Sequence, residues 1–292
     1  MSHRSGFVNI LGNPNVGKST IMNALVGEKL SIITSKAQTT RHRIMGIVNG
    51  EDFQIVYSDT PGILRPQYKL QETMMNSVNS ALSDADMILY VTDVTERSAD
   101  EGEYIDKIKK SGIPVIIAVN KVDLTNQDDL EKIVESWHLA FHDSPVIPIS
   151  ALKKFNLDSL LNAILTKLPE SPLYFPKDQL TDKYERFFAS EIIREKILIN
   201  YKKEIPYSVE IEIENFKDEK DIIKIRALIH VTRDSQKGII IGHKGTMLKR
   251  VGTEARHDME DFFRKKVFLE LYVKVTKDWR DKPLILKRFG YQ

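Results

Sequence analysis

Short apolar runs alternate with amphipathic stretches over the first part of the chain. Six runs have the length and composition of buried strands: Gly6–Leu11, Arg43–Val48, Phe53–Ser58, Met87–Thr92, Ile113–Val119 and Val146–Ile149. Apolar positions three and four residues apart predict helices between most of them, at Lys18–Val26, Leu70–Leu82, Asp100–Lys110, Asp128–Phe141 and Leu157–Leu168. Buried strands that alternate with helices predict an α/β fold, with a mostly parallel sheet and helices on both faces.

One pair of predicted strands departs from this alternation. Only Asn49, Gly50 and two further residues separate Val48 from Phe53. Asn-Gly favours a tight hairpin, because both residues accept a positive φ. We therefore expect these two strands to pair antiparallel.

Three prolines, Pro169, Pro172 and Pro176, interrupt the pattern after the last of these helices. Proline lacks an amide donor and fixes its own φ, so no helix passes through the segment. We predict a first domain over 1–168, a linker over 169–183 and a second domain over 184–292. The second domain is predicted as helix Tyr184–Lys202, strands Ser208–Glu214 and Ile222–Val231, a helix broken by glycines, helix Thr246–Phe263 and strand Lys266–Val275.

Composition agrees with two globular domains in 292 residues, since 41% of the residues are hydrophobic and 29% are charged. The chain has no cysteine, which excludes disulfides and thiolate metal sites. No apolar run approaches the roughly 18 residues of a membrane span, and residues 1–6 lead directly into a strand, which predicts no signal peptide. We expect a cytoplasmic protein.

Charge is distributed unevenly along the chain. Residues 1–176 carry 17 Lys and Arg against 21 Asp and Glu, whereas residues 177–292 carry 26 against 20. A basic second domain is compatible with a polyanionic partner, although a solvated surface explains the charge alone equally well.

A glycine-rich turn follows the first predicted strand and precedes a helix. Residues 12–19 match G-x-x-x-x-G-K-[ST], the phosphate-binding loop of P-loop proteins. In such a loop the backbone amides and the helix N-terminus face one anion, the lysine reaches the β- and γ-phosphates, and the hydroxyl binds Mg²⁺. The predicted phosphate-binding residues are Gly12, Asn13, Pro14, Asn15, Val16, Gly17, Lys18, Ser19 and Thr20.

A second element, Asp59-Thr-Pro-Gly62, closes the strand Phe53–Ser58. A carboxylate at a strand end beside a phosphate loop can hold Mg²⁺, commonly through a water, and the amide of Gly62 can sense the γ-phosphate. The residues predicted to contact nucleotide here are Asp59, Thr60, Pro61, Gly62 and Ile63.

The base is predicted to be guanine. The carboxylate of Asp123 can accept two hydrogen bonds from guanine that adenine cannot donate. With adenine bound, the carboxylate would stay unpaired, and the cost of leaving it so disfavours adenine. A backbone amide at Ser150-Ala151 would reach the guanine oxygen. The predicted base-binding residues are Asn120, Lys121, Val122, Asp123, Ser150 and Ala151.

These elements resemble those of the translation-factor-class GTPases. Residues 38–42, Gln-Thr-Thr-Arg-His, lie where a switch loop is expected, and we favour Thr40 over Thr39 as the residue that closes on Mg²⁺. Catalytic roles are predicted for Lys18, Ser19, Thr40, Asp59 and Gly62, with Ser19, Thr40 and Asp59 at Mg²⁺.

The residue after Gly62 is Ile63, which cannot orient water by hydrogen bonding. This resembles GTPases that carry a hydrophobic residue at that position. The resemblance implies slow intrinsic hydrolysis and a K⁺ held near the phosphates by Asn15.

A G-x-x-G segment, Gly242 to Gly245, lies between two helical patterns of the second domain. In KH domains this loop holds a single-stranded nucleic-acid backbone, because glycine lets phosphates approach the main chain. The predicted element order matches a type II KH domain, an α+β fold, and single-stranded RNA is preferred over DNA. The predicted RNA-binding residues are Ile241, Gly242, His243, Lys244, Gly245, Leu248, Lys249 and Arg250, with Ile240 beside them in the apolar groove.

Taken together, the motifs resemble those of the Era GTPases over essentially the whole chain. The matching segments include Gly12–Ser19, Asp59–Gly62, Asn120–Asp123, Ile149–Ala151 and Gly242–Gly245. The resemblance implies GTP as substrate, GDP as product and Mg²⁺ as cofactor. It also implies binding to the 3′ end of 16S ribosomal RNA, a role in 16S processing and small-subunit assembly, and weak peripheral association with the inner face of the membrane.

Three other functions compete with this interpretation. An RNA-binding assembly chaperone would keep nucleotide as a structural element, and a tRNA-modification or other assembly GTPase would share the first domain. The KH-like segment argues against the latter. A P-loop metabolic kinase is disfavoured by the guanine-binding pattern of Asn120–Asp123.

Overall fold

A computed structural model describes residues 3–96 and 102–291. Contacts between residues divide the chain into two compact units. The first comprises Met1–Ser31, Thr40–Pro66 and Met74–Asp182, and the second comprises Ile32–Thr39, Gln67–Thr73 and Lys183–Gln292.

A six-stranded sheet forms the centre of the first unit, in the order β2-β3-β1-β4-β5-β6. Every neighbouring pair is parallel except β2 and β3. The carboxyl ends of the parallel strands therefore meet at one edge, where ligands bind in open α/β sheets. The strands are β1 (Arg4–Leu11), β2 (Ile44–Asn49), β3 (Phe53–Asp59), β4 (Met87–Asp93), β5 (Val115–Asn120) and β6 (Val146–Pro148).

Five helices of the first part of the chain alternate with these strands, and the predicted α/β class is confirmed. Ring packing of Trp137 with Tyr90 and Phe141, at centroid distances of 5.4 and 6.1 Å, anchors the apolar layer on one side of the sheet. The predicted first residues of the third helix lie outside the described residues. The helices are α1 (Lys18–Val26), α2 (Lys69–Ser83), α3 (Glu103–Ser111), α4 (Gln127–Ala140) and α5 (Leu157–Lys167).

Strands β2 and β3 pair antiparallel, as the Asn-Gly signal predicts. The last pair is Asn49 with Gln54, and the amide of Gly50 donates to the carbonyl of Phe53 at 2.9 Å. The connection between the residues of this last pair therefore comprises residues 50–53. Asn49 still belongs to β2 and neither Asn49 nor Gly50 has a positive φ, so the antiparallel pairing is as predicted but the turn is not a two-residue Asn-Gly turn.

The proline-rich segment predicted as a linker lies along the first unit. The side-chain oxygen of Gln54 accepts hydrogen bonds from the amides of Tyr174 and Phe175 at 2.8 and 3.0 Å. Ser5 donates its amide to the carbonyl of Pro169 at 3.1 Å. A proline-rich chain can form hydrogen bonds with polar groups of a neighbouring sheet. By its contacts the segment belongs to the first unit up to Asp182, and the second unit continues from Lys183. The limits of the functional domains, 1–168 and 184–292, stay a prediction.

The second unit contains a three-stranded sheet in the order β7-β8-β9, with β7 and β8 antiparallel and β8 and β9 parallel. Its core is formed by the apolar sides of this sheet, α6 and α9, with residues such as Ile193, Ile225 and Val251 fully buried. The elements are α6 (Glu185–Asn200), α7 (Ile205–Ser208), β7 (Glu210–Asp218), β8 (Ile222–Val231), α8 (Asp234–Ile241), α9 (Thr246–Phe263), β9 (Lys266–Val275) and α10 (Pro283–Arg288).

Two short helices of the second unit are absent from the sequence prediction. Helix α7 occupies the predicted start of strand Ser208–Glu214, which begins at Glu210 instead, and Pro206 lies in the first turn of α7 where proline is tolerated. Helix α10 is only six residues long and carries no clear period. Within residues 3–96 and 102–291, no helix is long and apolar enough to cross a membrane.

Residues 32–39 pack against α6 within the second unit. The amino group of Lys36 donates to the carbonyls of Leu198 and Tyr201 at the carboxyl end of that helix. Arg194, 1% exposed, donates to the carbonyl of Thr39 and forms an ion pair of 2.6 Å with Glu191. A cation at a helix C-terminus is stabilised by the free carbonyls and the helix dipole, so this segment has a defined place on α6.

Candidate functional site

The loop between β1 and α1 curls tightly against its neighbours. Gly12 and Gly17 have φ angles of +148° and +100°. A Cβ atom at Gly12 would lie 2.1 Å from the carbonyl oxygen of Val91, and one at Gly17 would lie 2.2 Å from Nδ2 of Asn120. Only glycine fits at these two positions, and the loop ends at the N-terminus of α1, where anions bind.

Lys18 folds back across this loop. Its side chain is buried, and Nζ donates to the carbonyls of Gly12 and Asn13 at 3.0 and 2.8 Å. Burial lowers the pKa of Lys18 to about 8, while the negative charges of Asp59 and Glu96 oppose that shift. The site thus holds a desolvated amine among backbone groups, and a phosphate group would stabilise its charged form.

Three oxygen-bearing side chains converge beside Lys18. Ser19 Oγ lies 2.6 Å from Asp59 Oδ2 and 2.8 Å from Thr40 Oγ1, and Thr40 Oγ1 lies 3.2 Å from the same carboxylate oxygen. The hydroxyl of Thr39 bonds instead to Thr34 and to the carbonyl of Lys36. Of the two candidate threonines, Thr40 is therefore the one that the structure places with Ser19 and Asp59.

This arrangement fits a magnesium ion. Asp59 is fully buried, and its Oδ1 has no hydrogen-bond partner in the described structure. Burial raises the pKa of Asp59, and hydrogen bonds from Ser19 and Thr40 together with the charge of Lys18 oppose the rise. Hydroxyl and carboxylate oxygens are the donors that Mg²⁺ prefers. No group of three or more His, Cys, Asp or Glu side chains suited to a metal occurs among residues 3–96 and 102–291.

Gly62 lies directly on the phosphate loop. A Cβ atom there would fall 2.7 Å from Pro14 Cα and 2.8 Å from Pro14 N. The next amide, that of Ile63, donates to the carbonyl of Gly12 at 3.1 Å. The early residues of the loop, 12–14, therefore lie beside Gly62, whereas its last residues lie at the start of α1.

Asn120 connects the phosphate loop to the base-binding segments. Its Nδ2 donates to the carbonyl of Val16 at 2.8 Å, and its Oδ1 accepts from the amide of Ala151 at 3.0 Å. Asn120 is 3% exposed and ends β5. The structure thus brings together three predicted segments through one side chain. The amide of Ala151 is bound to Asn120 and that of Ser150 donates to the carbonyl of Phe155 at 3.2 Å, so the structure does not support the prediction that one of these amides reaches the guanine oxygen.

The neighbouring side chains at this edge also have partners. Lys121, with φ +62°, forms an ion pair of 2.5 Å with Asp93. Ser150 Oγ donates to Asp123 Oδ1 at 2.5 Å. Asp123 is exposed. Its carboxylate would lose its contact with water only when a base binds.

Asp93, the last residue of β4, and Glu96, in the turn that follows, are missed by sequence reasoning. Asp93 braces Lys121, and Glu96 accepts hydrogen bonds from Asn13 at 2.8 Å and Thr92 at 2.5 Å. The only local signal was an acidic turn at the carboxyl end of a buried strand. That signal does not predict which residues the two carboxylates contact.

The predicted glycine loop of the second unit joins α8 to α9. Gly242 and Gly245 have φ angles of +71° and +79°, and residues 243–245 form a short 3₁₀ turn directly after Gly242. His243 and Lys244 are exposed at the tip. The backbone therefore presents an open turn at the N-terminus of an 18-residue helix.

A shallow groove of about 390 Å³ begins at this turn. Ile240 is fully buried in the core, so the expectation that it lines the groove is wrong: its side chain lies on the inner side of α8. The opposite wall comes from Leu269 and Leu271 of β9, which sequence reasoning did not assign. The groove is lined by Gly245, Leu248, Lys249, Gly252, Thr253, Arg256, Leu269 and Leu271.

Fold and site together define a P-loop GTPase domain followed by a KH domain. Residues 7–121 match the family model described as 50S ribosome-binding GTPase, and residues 204–280 match that of the KH domain.

Full-length relatives narrow this class. The chain is 44% identical to a GTPase Era of Staphylococcus haemolyticus over 99% of its length and 97% of the relative's, and 46% identical to one of Syntrophus aciditrophicus over 99% and 95%. A solved structure of Aquifex aeolicus Era bound to GDP and aluminium fluoride is 40% identical, covers 99% of both chains and has a TM-score of 0.95. An Era in complex with MgGDPNP and nucleotides 1506–1542 of 16S ribosomal RNA gives the same values. The chain belongs to the GTPase Era family and is a GTP-hydrolysing enzyme.

Proposed function

We propose that this chain is a GTP-controlled switch that binds the 3′ end of 16S ribosomal RNA and acts in 16S processing and small-subunit assembly. The observation that carries the proposal is the open Gly242–Gly245 turn beside a groove with basic residues, in a chain whose solved relative contains nucleotides of that RNA. A cytoplasmic location and association with a membrane surface stay predictions.

The phosphate groups are proposed to lie between the loop of residues 12–19 and Gly62. Lys18 would contact the β- and γ-phosphates, and Ser19, Thr40 and Asp59 would hold Mg²⁺, Asp59 through a water. The metal, when bound, neutralises charge between these phosphates. The chain's own contribution is preorganisation: Ser19, Thr40 and Asp59 already lie within 3.2 Å of one another.

The base is proposed to be selected by Asp123. Its Oδ1 is fixed by Ser150, which orients the carboxylate plane. Lys121 is held by Asp93, so its stem can cover one face of the base. Asn120 connects the segments 120–123 and 150–151 to the phosphate loop, because its side chain bonds to the carbonyl of Val16 and to the amide of Ala151.

Hydrolysis is proposed to be slow and stimulated by K⁺. Ile63 packs with apolar neighbours and offers no side-chain hydrogen bond to water. Asn15, in the exposed part of the phosphate loop with φ +66°, can turn its amide oxygen toward a monovalent cation beside the phosphates. Such a cation would replace part of the charge that an arginine finger supplies, which is worth about 10³–10⁵ in rate.

Phosphate release from GTP is therefore expected to be several-fold faster in K⁺ than in Na⁺ at equal ionic strength. Asn15→Gly, which keeps the positive φ, is the variant to compare, because it should remove the advantage of K⁺ without straining the loop. GDP affinity serves as the control and should be equal in the two salts. Equal turnover of the unmodified protein in both salts contradicts the K⁺ assignment.

The nucleotide is proposed to control the second unit through residues 32–39. The carbonyl of Thr39 is held by Arg194, and Thr40, the next residue, is the proposed metal-binding threonine. A segment that is fixed on α6 and is followed directly by a residue whose position depends on the γ-phosphate can transmit the nucleotide state.

We expect the dissociation constant of an RNA oligonucleotide with the sequence of the 16S 3′ end to differ at least about tenfold between the GDPNP-bound and GDP-bound protein at fixed salt. Fluorescence anisotropy across a salt series measures this. Lys36→Ala should reduce the difference, because it removes the contacts of residues 32–39 with the carbonyls of Leu198 and Tyr201 at the end of α6, whereas Lys29→Ala, outside that segment, should not. Identical affinities in both states would favour the RNA-binding chaperone, in which hydrolysis is incidental.

A further inference from the structure

The turn that follows β4 contributes a negative charge to the phosphate end of the nucleotide site. Glu96 Oε1 lies 2.8 Å from Asn13 Nδ2, and its Oε2 lies 2.5 Å from the hydroxyl of the buried Thr92. The amide of Glu96 also donates to the carbonyl of Asp93 at 3.1 Å. Both carboxylate oxygens are thus occupied and the backbone is fixed, so the charge has a defined position.

The loop residues beside that carboxylate are the ones that adjoin Gly62, the residue proposed to sense the γ-phosphate. Asn13 lies between Gly12, whose carbonyl accepts from Ile63, and Pro14, which touches Gly62. Helix α1 begins at the other end of the loop, at Lys18, where the β-phosphate meets the free amides. The negative charge of Glu96 also acts on Lys18, where it favours the charged amine by opposing the lowering of its pKa by burial.

We propose that Glu96 sets the relative affinity of the site for guanosine tri- and diphosphates, by placing a fixed carboxylate beside the γ-phosphate position. The inference rests on the proposed GTP site. A carboxylate there repels the terminal phosphate that GTP has and GDP lacks. Its contact with Asn13 also occupies the amide of that side chain. Glu96 therefore limits the affinity for the triphosphate and brings it closer to that for the diphosphate.

Glu96→Gln keeps the size of the side chain and removes its charge. We expect this variant of the full chain to bind GDPNP roughly three- to tenfold more tightly relative to GDP than the unmodified protein does. Titration calorimetry with Mg²⁺ and each nucleotide measures the two dissociation constants. Glu96→Asp keeps the charge but shortens the side chain, and its affinity ratio should stay near that of the unmodified protein. Glu135→Gln, an exposed carboxylate on α4, is the matched control for loss of one negative charge.

Each outcome is decisive for one of the two proposals. An unchanged GDPNP-to-GDP ratio in Glu96→Gln, with GDP binding intact, overturns the role of Glu96 and leaves the GTP site standing. Equal tightening of both nucleotides, or the same ratio change in Glu96→Asp, assigns Glu96 to loop structure only and also overturns it. If the unmodified protein binds neither guanine nucleotide, the proposed GTP site itself fails.

Discussion

Asp123→Asn is expected to lower the affinity for GTP by about 10³–10⁴-fold and to create affinity for xanthosine triphosphate. Asp123 is the proposed acceptor for two guanine donors, and an amide presents a donor where one of those acceptors stood. Xanthine carries a carbonyl at the carbon where guanine has its amino group, so it matches the amide. The expected result is an exchange of base preference and not a general loss of binding.

The surroundings of Asp123 make this exchange possible without loss of structure. Ser150 Oγ donates to Asp123 Oδ1, and the side-chain oxygen of an asparagine can accept the same bond. Because Asp123 is exposed, the substitution buries no unpaired group in the free protein.

Competition of GTP and xanthosine triphosphate against a fluorescent guanine nucleotide measures the effect. Asp128→Asn is the matched control, since it makes the same chemical change in the exposed first turn of α4. A variant that still prefers GTP contradicts the assignment of Asp123 as the base-selecting residue. A variant that binds neither nucleotide, with unfolding temperature unchanged, contradicts it also.

The phosphate loop and the strand ends could be predicted because their signals are local. Gly12 and Gly17 have the positive φ angles of the tight turn from β1 to α1, and the carboxyl ends of parallel strands meet at one edge. The antiparallel β2–β3 pair follows from a short connection with Asn49 and Gly50. In each case a few neighbouring residues determine the conformation.

Contacts between segments distant in sequence could not be predicted from those signals. The sequence around Glu96 does not predict that its carboxylate contacts Asn13, 83 residues earlier. The sequence around Lys36 does not predict that its amino group binds carbonyls at the carboxyl end of α6. A period of three to four residues places Ile240 and Ile241 on a helix, but the packing of the sheet decides that Ile240 is buried. These contacts depend on how whole elements pack.

The Gly242–Gly245 turn gives the sharpest test of RNA binding. Gly245 has φ +79°, and a Cβ atom added there has no heavy atom within 4 Å. At Gly242, by contrast, a Cβ atom would lie 2.8 Å from the side chain of Met247, so a substitution there would disturb the fold. Gly245 therefore allows a side chain to be added with strain only in the backbone.

Gly245→Asp is expected to weaken RNA binding by at least about 100-fold, since it places a negative charge where a phosphate is proposed to approach the main chain. Gly245→Asn is the matched control: it has nearly the same shape and tolerates the same positive φ, but it carries no charge. We expect it to lose only a few-fold. GTP affinity, governed by the other unit, should stay unchanged in both variants, and thermal unfolding should be similar for the two.

Anisotropy titrations with the 16S 3′-end oligonucleotide, at low and physiological salt, distinguish charge from shape. If the phosphate lies at Gly245, the gap between the aspartate and asparagine variants should narrow as salt rises, because ions screen the repulsion. Equal losses in both variants would place the effect in the shape of the turn. RNA affinity that survives Gly245→Asp at physiological salt would mean that RNA binds elsewhere on the second unit, and the KH assignment of this turn as the phosphate contact would be wrong.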